Sequence, residues 1–439
     1  MENRLPIVIV GAGAAGILAA WRGASLGAKV LLCERNSKAG IKLLISGGGK
    51  CNITHDGSPE VLLAAFTQAE RRFLKHSLFR FTNADMIAML EAEGVRTLVR
   101  PDGRVFPCSG RARDVVVALL GGLRSAGAAI KLGTRIDSIA YERENGFMLS
   151  SGREIVRSAM VILSTGGVSY PKTGTTGDGI TWAGFFGHTI VPLRPALAPI
   201  GVRPALPAEW QGVAVRGGRL LVCLGARRMC SWDGDILFTH EGISGPAALE
   251  LSRQAAELLE HDRPSLRFDF FPSKDFAHLD EELNGLVRRH ASRMISSVLE
   301  MLVPARLACP LIRSVGADPE KRGHVVTRDE RRAITGLLKE WRLGDVSRID
   351  IERGEVTAGG IPLSEVNPRT MESRLVPGLY LCGEMLDVAG PVGGYNLQAA
   401  FSTGYVAGES AARAWGAAGN SGTPDAVPSP GMEEPHGHT

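Results

Sequence analysis

The sequence lacks several features that would place it in a narrow class. Its seven cysteines are an odd number, with no CxxC pair and no Cys/His spacing typical of a zinc site. One stretch without a charge, residues 5–21, has 17 residues but contains three glycines. No other run approaches the roughly 18 apolar residues that a membrane helix needs. These absences argue against a disulfide-stabilised secreted protein and a membrane protein. We therefore expect a cytoplasmic protein without a metal site.

An excess of charge of one sign is also missing. The 50 basic and 46 acidic residues give a formal net charge of +4, and the basic residues are scattered as short pairs. No basic stripe of the kind that binds nucleic acid is present, so we expect a small-molecule substrate and no nucleic-acid partner. The hydrophobic content of 44% is enough for a sizeable core and excludes a disordered chain.

Glycine, by contrast, is abundant. The chain has 54 glycines, about 12% of its residues against roughly 7% on average. They occur in short clusters without a fixed period, which excludes collagen. Such clusters are typical of tight turns and of backbone that lies against a ligand.

The first cluster is a GxGxxG motif formed by Gly11, Gly13 and Gly16. Its flanks predict a strand, a helix and a second strand, at residues 5–10, 14–26 and 29–33. In this context Gly11 allows the turn, Gly13 lets a pyrophosphate approach, and Gly16 lets helix and strand pack closely. Glu34 ends the second strand, where a carboxylate accepts bonds from ribose hydroxyls. The pattern therefore predicts binding of FAD or NAD rather than NADP.

Three later glycine clusters favour FAD over NAD. Residues 46–52 (SGGGKCN) could form an anion-binding nest. Residues 164–167 follow a predicted strand, and Gly393-Gly394 open a predicted helix near the end of the chain. The positive end of that helix could lie at the O2/N1 edge of a reduced flavin. A cofactor contacted at both residue 11 and residue 394 is long enough to be FAD.

The sequence resembles the YhiN/BaiN-type family of FAD-dependent flavoprotein oxidoreductases. The matching motifs extend from residue 5 to about residue 412. They are GAGAAG at 11–16, SGGGKCN at 46–52, STGG, SYPKTG and TGDG across 164–179, GHTIVPLRPAL from 187, LFTHEGISGP at 237–246, VTAGG at 356–360, NPRTMES at 367–373 and LYLCGEMLDVAGPVGGYNLQAAFSTG at 379–404.

This resemblance implies an α/β fold. A Rossmann-like FAD-binding domain, with the βαβ unit of glutathione reductase, would carry an inserted β-barrel-like domain and a helical domain. A change of sequence texture near residue 190, and a return near 345–355, agree with an insertion. The expected ranges are 1–190 with 355–415 for the FAD-binding domain, 191–245 with 343–354 for the barrel, 246–342 for the helical domain, and 416–439 for a disordered tail.

The resemblance also implies a site for non-covalent FAD. Pyrophosphate contacts fall at residues 11–16, an adenine contact at Ile136, a ribityl contact near Glu384 or Asp387, and flavin-edge contacts at 394–397. The full set of expected contacts is Gly11, Gly13, Ala14, Ala15, Gly16, Glu34, Arg35, Lys42, Ser46, Gly47, Gly48, Gly49, Lys50, Cys51, Asn52, Ile136, Thr165, Gly166, Gly167, Gly383, Glu384, Asp387, Gly394, Tyr395, Asn396 and Leu397.

Three residues are candidates for catalysis. His240 and Ser244 lie in a polar loop that could cover the flavin and supply a proton. Ser244 could instead cap the helix that begins at Pro246. Tyr395 could lie over the flavin or serve in helix packing.

Together these features predict an oxidoreductase that transfers hydride between flavin N5 and a small organic substrate. A single GxGxxG motif leaves no separate Rossmann domain for NAD(P)H. Either NAD(P)H docks transiently at the flavin, or the substrate itself reduces FAD. The alternative is a flavin-bearing redox sensor or interaction protein with little turnover. A tRNA-modifying flavoprotein is disfavoured by the scattered charge, and the oligomeric state stays open.

Overall fold

A computed structural model describes residues 4–420 of the chain. Its strands are β1 (Ile7–Val10), β2 (Val30–Cys33), β3 (Thr54–His55), β4 (Thr97–Val99), β5 (Arg104–Pro107), β6 (Ala129–Lys131), β7 (Ser138–Glu142), β8 (Gly146–Ser151), β9 (Glu154–Ser158), β10 (Met160–Leu163), β11 (Val191–Ala196), β12 (Ile200–Arg203), β13 (Ala214–Leu224), β14 (Arg227–Phe238), β15 (Gly242–Ser244), β16 (Ser265–Asp269), β17 (Trp341–Arg348), β18 (Val356–Gly360) and β19 (Leu379–Leu381). Its α-helices are α1 (Ala14–Ser25), α2 (Ile41–Gly49), α3 (Pro59–Ala64), α4 (Gln68–Arg80), α5 (Asn83–Ala92), α6 (Ala112–Ser125), α7 (Asp178–Phe185), α8 (Pro246–Leu259), α9 (Phe276–Arg289), α10 (Ile295–Leu299), α11 (Ala305–Ser314), α12 (Arg328–Lys339) and α13 (Tyr395–Asn420).

A parallel sheet in the order β19-β10-β1-β2-β6 organises what we call the sheet lobe. Ile7 lies opposite Val30 on one side and Met160 on the other, so β1 is the central strand. Strands buried on both faces need continuous apolar sequence, which explains the unbroken IVIV of β1. The order of strands along the chain reverses between β1 and β10, where ligands of such sheets bind. The predicted Rossmann-like α/β fold is confirmed.

The first and last helices of the sheet lobe, α1 and α13, pack with their backbones almost touching. A Cβ on Gly404 would lie 2.1 Å from the Ala15 carbonyl oxygen, and one on Gly408 would lie 2.1 Å from that of Ala19. Only glycine permits so close an approach. This packing holds the end of the chain beside the GxGxxG turn.

The inserted region forms a second lobe around a closed barrel, β12-β15-β14-β13-β16-β17. We call this barrel with α8 to α12 the barrel lobe. Its aromatic core includes Phe238, Trp341 and Phe268, and helices α8 to α12 bury residues in the same cluster. The structure therefore differs from the expected separate helical domain. Ser265–Asp269, which was assigned to it, is barrel strand β16, because Leu266 and Phe268 point into the core.

Two strands connect the lobes. β11 and β18 pair antiparallel with each other, and neither belongs to the barrel. β17 pairs with β12 and β16 and so belongs to the barrel.

Helix α13 continues to Asn420, past the residue where the tail was expected to begin, and the remainder of that tail lies outside the described residues. Within residues 4–420, no helix has both the length and the apolar character to span a bilayer.

Candidate functional site

A cleft of about 660 Å³ opens at the carboxyl ends of the parallel strands. The sheet lobe supplies one wall, with the β1–α1 turn, part of α2 and the start of α13. Leu197, Leu249, Glu355 and Val392 belong to the opposite wall, toward the barrel lobe. The site therefore lies at the strand-order reversal, with an apolar surface across from the glycine turn.

The three glycines of the GxGxxG motif have three different surroundings. Gly11 has a φ of +101°, and a Cβ there would lie 2.7 Å from the Ser164 carbonyl oxygen. A Cβ on Gly16 would lie 1.8 Å from the Gly11 carbonyl oxygen. Gly13 has no protein atom within 4 Å of that position and faces the cleft. Gly11 and Gly16 are thus required by the protein, whereas Gly13 leaves room for a ligand.

Helix α1 points its N-terminus at this open space. Gly13 is the N-cap and provides no side chain to cap the first turn, which also contains no acidic residue. The first N–H groups of a helix, here those of Ala14 and Ala15, have no partner within the helix. A helix end of this kind stabilises bound phosphate. The residues present therefore fit a pyrophosphate.

Glu34 fixes the turn from the side. Its carboxylate is buried, 8% exposed, and accepts hydrogen bonds from the Ala12 N–H at 2.8 Å and the Asn36 N–H at 2.9 Å. Each carboxylate oxygen can accept more than one hydrogen bond. Glu34 can therefore hold the turn and still accept a bond from a ribose hydroxyl. Arg35 and Ile136 line the same end of the cleft.

The SGGGKCN segment breaks helix α2. Ser46 has an extended ψ of 146°, and Gly47 and Gly48 are left-handed. The Asn52 amide satisfies its partners when its oxygen accepts the Gly394 N–H at 3.0 Å. This bond ties the segment to the start of α13. Lys50 also lines the cleft, while Gly49 and Cys51 are not among the lining residues.

Lys42 and Glu384 form an ion pair in the middle of the cleft. The Lys42 ammonium donates to Glu384 Oε2 at 2.7 Å and to Ser169 Oγ at 2.7 Å. The Thr357 N–H donates to Glu384 Oε1 at 2.9 Å. Four distant segments therefore meet at one carboxylate, next to Thr165, Gly166 and Gly383.

Helix α13 begins at the far end of the cleft. A Cβ on Gly394, with φ at +95°, would lie 2.5 Å from the Thr54 carbonyl, so the turn before the helix needs glycine. Leu397 lines the cleft in the first turn. The Asn396 amide bonds both the N–H and the carbonyl of Gly390 at 2.8 Å. Asn396 thus shapes the neighbouring loop from within the lining.

Several expected contacts point away from the cleft. A Cβ on Gly167 would lie 2.3 Å from Thr357 Oγ1, so this glycine is packed against protein. Asp387 accepts the Gly359 N–H at 3.0 Å. Tyr395 stacks on His55 with ring centroids 4.7 Å apart. Burial raises the pKa of the Cys51 thiol to about 11, against a smaller lowering by Ser46.

The structure does not bring the other two catalytic candidates to the site. His240 lies on the barrel lobe with a side chain 65% exposed, and its nearest carboxylate is Glu241 at 3.6 Å. Ser244 is part of strand β15 and pairs with Leu237. The N-cap of α8 is Gly245, without a side-chain cap, so Ser244 does not cap that helix. Neither residue is part of the cleft lining.

Three further residues in or near the lining are notable: Tyr170, expected from the sequence to shape a loop near the cofactor, and Leu197 and Glu250, for which the sequence indicated no role. Tyr170 and Leu197 line the cleft with φ of +52° and +53°, a conformation that non-glycine residues adopt at a cost and mainly at functional sites. Glu250 on α8 accepts the Val392 N–H at 2.7 Å, and burial raises its pKa to about 7. These features depend on how β11, β18 and α8 pack, which local sequence does not reveal.

Comparison with known proteins agrees with this geometry. The family described as HI0933-like protein Rossmann domain matches residues 5–410. The chain is 31% identical over 405 residues to the ribosomal RNA dihydrouridine synthase of Escherichia coli (strain K12), covering 92% of this chain and 97% of that protein. It is 29% identical over 409 residues to the 3-dehydro-bile acid delta(4,6)-reductase of Clostridium scindens, covering 92% and 98%.

A solved structure shares the fold. The 3-ketosteroid delta1-dehydrogenase from Sterolibacterium denitrificans, in complex with 1,4-androstadiene-3,17-dione, aligns with a TM-score of 0.51 at 15% identity. The alignment covers 94% of this chain and all of that one. At this identity the likeness concerns architecture alone.

Proposed function

The chain belongs to the HI0933-like Rossmann domain family, and from that membership we propose that it is an FAD-dependent reductase of conjugated carbon–carbon double bonds. FAD would lie along the cleft, with its pyrophosphate at Gly13, its ribose at Glu34 and its flavin end at the start of α13. When bound, FAD supplies hydride exchange at N5. The protein binds and orients the cofactor and the substrate.

One observation carries the cofactor assignment. A single cleft connects the open space at Gly13 with the N-terminus of α13 at Gly394, and its lining comes from both ends of the chain. Each end offers a helix N-terminus without an acidic residue in its first turn. Thr165 Oγ1, also in the lining, is a buried hydroxyl without a protein partner. This arrangement supports an extended, anionic ligand with two polar ends.

The substrate class is inferred from the relatives. One is named for forming dihydrouridine in ribosomal RNA, the other for reducing the delta(4,6) bonds of a 3-dehydro bile acid. Both reactions saturate a carbon–carbon double bond conjugated to a carbonyl. We extend that chemistry to this chain. The apolar wall at Leu197, Leu249 and Val392 favours a small, flat substrate, whereas the RNA-acting relative makes uridine in ribosomal RNA the second candidate.

The reductant we propose is NAD(P)H. The sequence has one GxGxxG motif, so NAD(P)H would dock transiently at the flavin rather than in its own Rossmann domain. A redox sensor with little turnover is the rival function. It would keep the cofactor but react slowly with every small molecule.

Anaerobic stopped-flow spectroscopy separates these possibilities. We would mix the FAD-loaded protein with NADH or NADPH and follow the ~450 nm flavin band. We would then add either a 3-keto steroid with a conjugated double bond or a ribosomal RNA transcript. The proposal expects fast bleaching and then recovery of the band with one substrate. A protein that cannot be loaded with FAD would contradict the cofactor, and a reduced protein that neither substrate reoxidises would contradict the reductase assignment.

A further inference from the structure

Four carboxylates line the cleft among the described residues: Glu34, Asp178, Glu355 and Glu384. Three already have protein partners. Glu34 accepts from two backbone N–H groups, Asp178 pairs with Arg35 at 3.0 Å, and Glu384 is held by Lys42. No hydrogen bond or ion pair between residues 4 and 420 reaches the Glu355 carboxylate. A carboxylate that accepts hydrogen bonds from the protein is held as an acceptor, so Glu355 is the one of these four best placed to carry a proton to a ligand.

The position of Glu355 is set by the strands that join the lobes. Its N–H donates to the Leu197 carbonyl at 3.1 Å, just before β18 begins. Two residues later, the Thr357 N–H bonds to Glu384. Glu355 therefore lies near the Lys42–Glu384 pair. It is also close enough for its charge to act on Glu250, which accepts the Val392 N–H three residues before α13 begins. The flavin ring is expected at the start of α13.

The surroundings of Glu355 favour its acid form. The side chain is open to the cleft, yet the protein around it still raises its pKa by desolvation, against an opposing effect of Lys42. Two other ionisable groups lie nearby, Tyr170 and Glu250 on α8. Burial raises the pKa of both, and the Glu355 charge adds a smaller increase to each. Arg353 acts on the same tyrosine in the opposite direction. A ligand in the cleft would exclude water and raise the pKa of Glu355 further.

We propose that Glu355 is the proton donor of the reduction. This inference rests on the proposed function. Hydride from N5 of the reduced flavin would bond to the substrate carbon distant from the carbonyl. The electron pair of the double bond would take the proton from the Glu355 carboxyl at the adjacent carbon. The carboxylate left behind would regain a proton from water, so that one hydride and one proton are added in total.

The test compares the holoenzyme with Glu355→Gln. FAD affinity and the rate of flavin reduction should stay within about twofold of wild type. Reoxidation of the reduced flavin by the conjugated substrate should slow by about 10² to 10⁴, the usual contribution of a general acid. Glu355→Asp keeps the acid on a shorter side chain, so its rate of flavin reoxidation should lie between those of wild type and Glu355→Gln. Glu352→Gln, an exposed glutamate three residues earlier, is the matched control.

A second measurement does not depend on turnover. Carboxyl ¹³C NMR of the protein before FAD loading should show Glu250 and a second glutamate with pKa values above the ordinary value of about 4.3, and the second should be absent from Glu355→Gln. If the Glu355 carboxyl titrated at the ordinary value for glutamate, the inference would be overturned. Wild-type reoxidation rates in Glu355→Gln, or a selective loss in Tyr170→Phe, would also overturn it and leave the reductase standing. If wild type itself reduces no conjugated substrate, both proposals fall together.

Discussion

A buried serine–histidine–glutamate chain and the cleft differ in what their polar atoms are bonded to. His188 Nδ1 lies 2.8 Å from Glu365 Oε2, and its Nε2 lies 2.9 Å from Ser373 Oγ. This order matches a hydrolase triad. Yet His188 is only 4% exposed, and Ser373 Oγ also accepts the N–H groups of Leu375 and Val376 at 3.0 Å. The lone pairs of Ser373 Oγ are therefore occupied, and no substrate reaches this buried serine.

The cleft shows the opposite condition. Within residues 4–420, Gly13 faces empty space, the Thr165 hydroxyl is buried without a partner, and the Glu355 carboxylate is unbonded. Buried polar groups are normally paired within the protein. Groups that lack partners at one concave place therefore indicate a ligand, whereas a fully bonded cluster indicates a structural role. Triad geometry alone would have selected the wrong site.

The strongest challenge to this contrast is Gly13→Leu. Because Gly13 has an extended φ of −84° and no protein neighbour, leucine fits the protein but fills the ligand space. FAD affinity should fall by at least about 100-fold, with the thermal midpoint of the FAD-free protein nearly unchanged. Flavin fluorescence titration measures the FAD affinity, and calorimetry measures the thermal midpoint.

Gly285→Leu is the control for Gly13→Leu, since Gly285 on α9 also has open space around it. It should bind FAD normally. Wild-type affinity in Gly13→Leu would mean that no phosphate approaches the turn.

His188→Ala tests the buried chain. It removes one buried hydrogen-bond partner from each of Glu365 and Ser373 and leaves a cavity, so the free energy of unfolding should fall by about 2 to 4 kcal/mol. Urea unfolding measures the loss, and His240→Ala on the barrel surface should cost less than about 0.5 kcal/mol. A serine-directed fluorophosphonate should leave Ser373 unlabelled in wild type. Labelling of Ser373 would contradict a purely structural role for the buried serine–histidine–glutamate chain.

Local patterns were enough to predict the parts of the fold that short-range spacing encodes. The strand–helix–strand unit around Gly11 and the α13 helix appear where the sequence indicates them. The nucleotide end of the site is equally local, because Gly13 and Glu34 belong to one βαβ unit. Lys42 and Glu384, brought together across 342 residues, were expected individually from the family resemblance and not as a pair.

Features that depend on distant pairing could not be predicted. His188 and Ser373 are 185 residues apart, and each lies in a motif that had no assigned role. His240 stands in a polar loop, but β15 pairs with both β12 and β14 and leaves that loop on the barrel surface. Glu355 occurs in no motif at all. Its place in the cleft follows from the pairing of β11 with β18.

The smallest expected effect concerns Cys51, which follows the glycines of the SGGGKCN segment. A cysteine next to a cofactor site invites a redox role, but this thiol is fully buried and its raised pKa keeps it protonated near neutral pH. Iodoacetamide at neutral pH should modify the exposed Cys108 and leave Cys51 unmodified, as read by mass spectrometry. Modification of Cys51 that FAD suppresses would show that the segment opens without cofactor. The SGGGKCN segment would then resemble the unpaired groups of the cleft rather than the fully bonded interior of the protein.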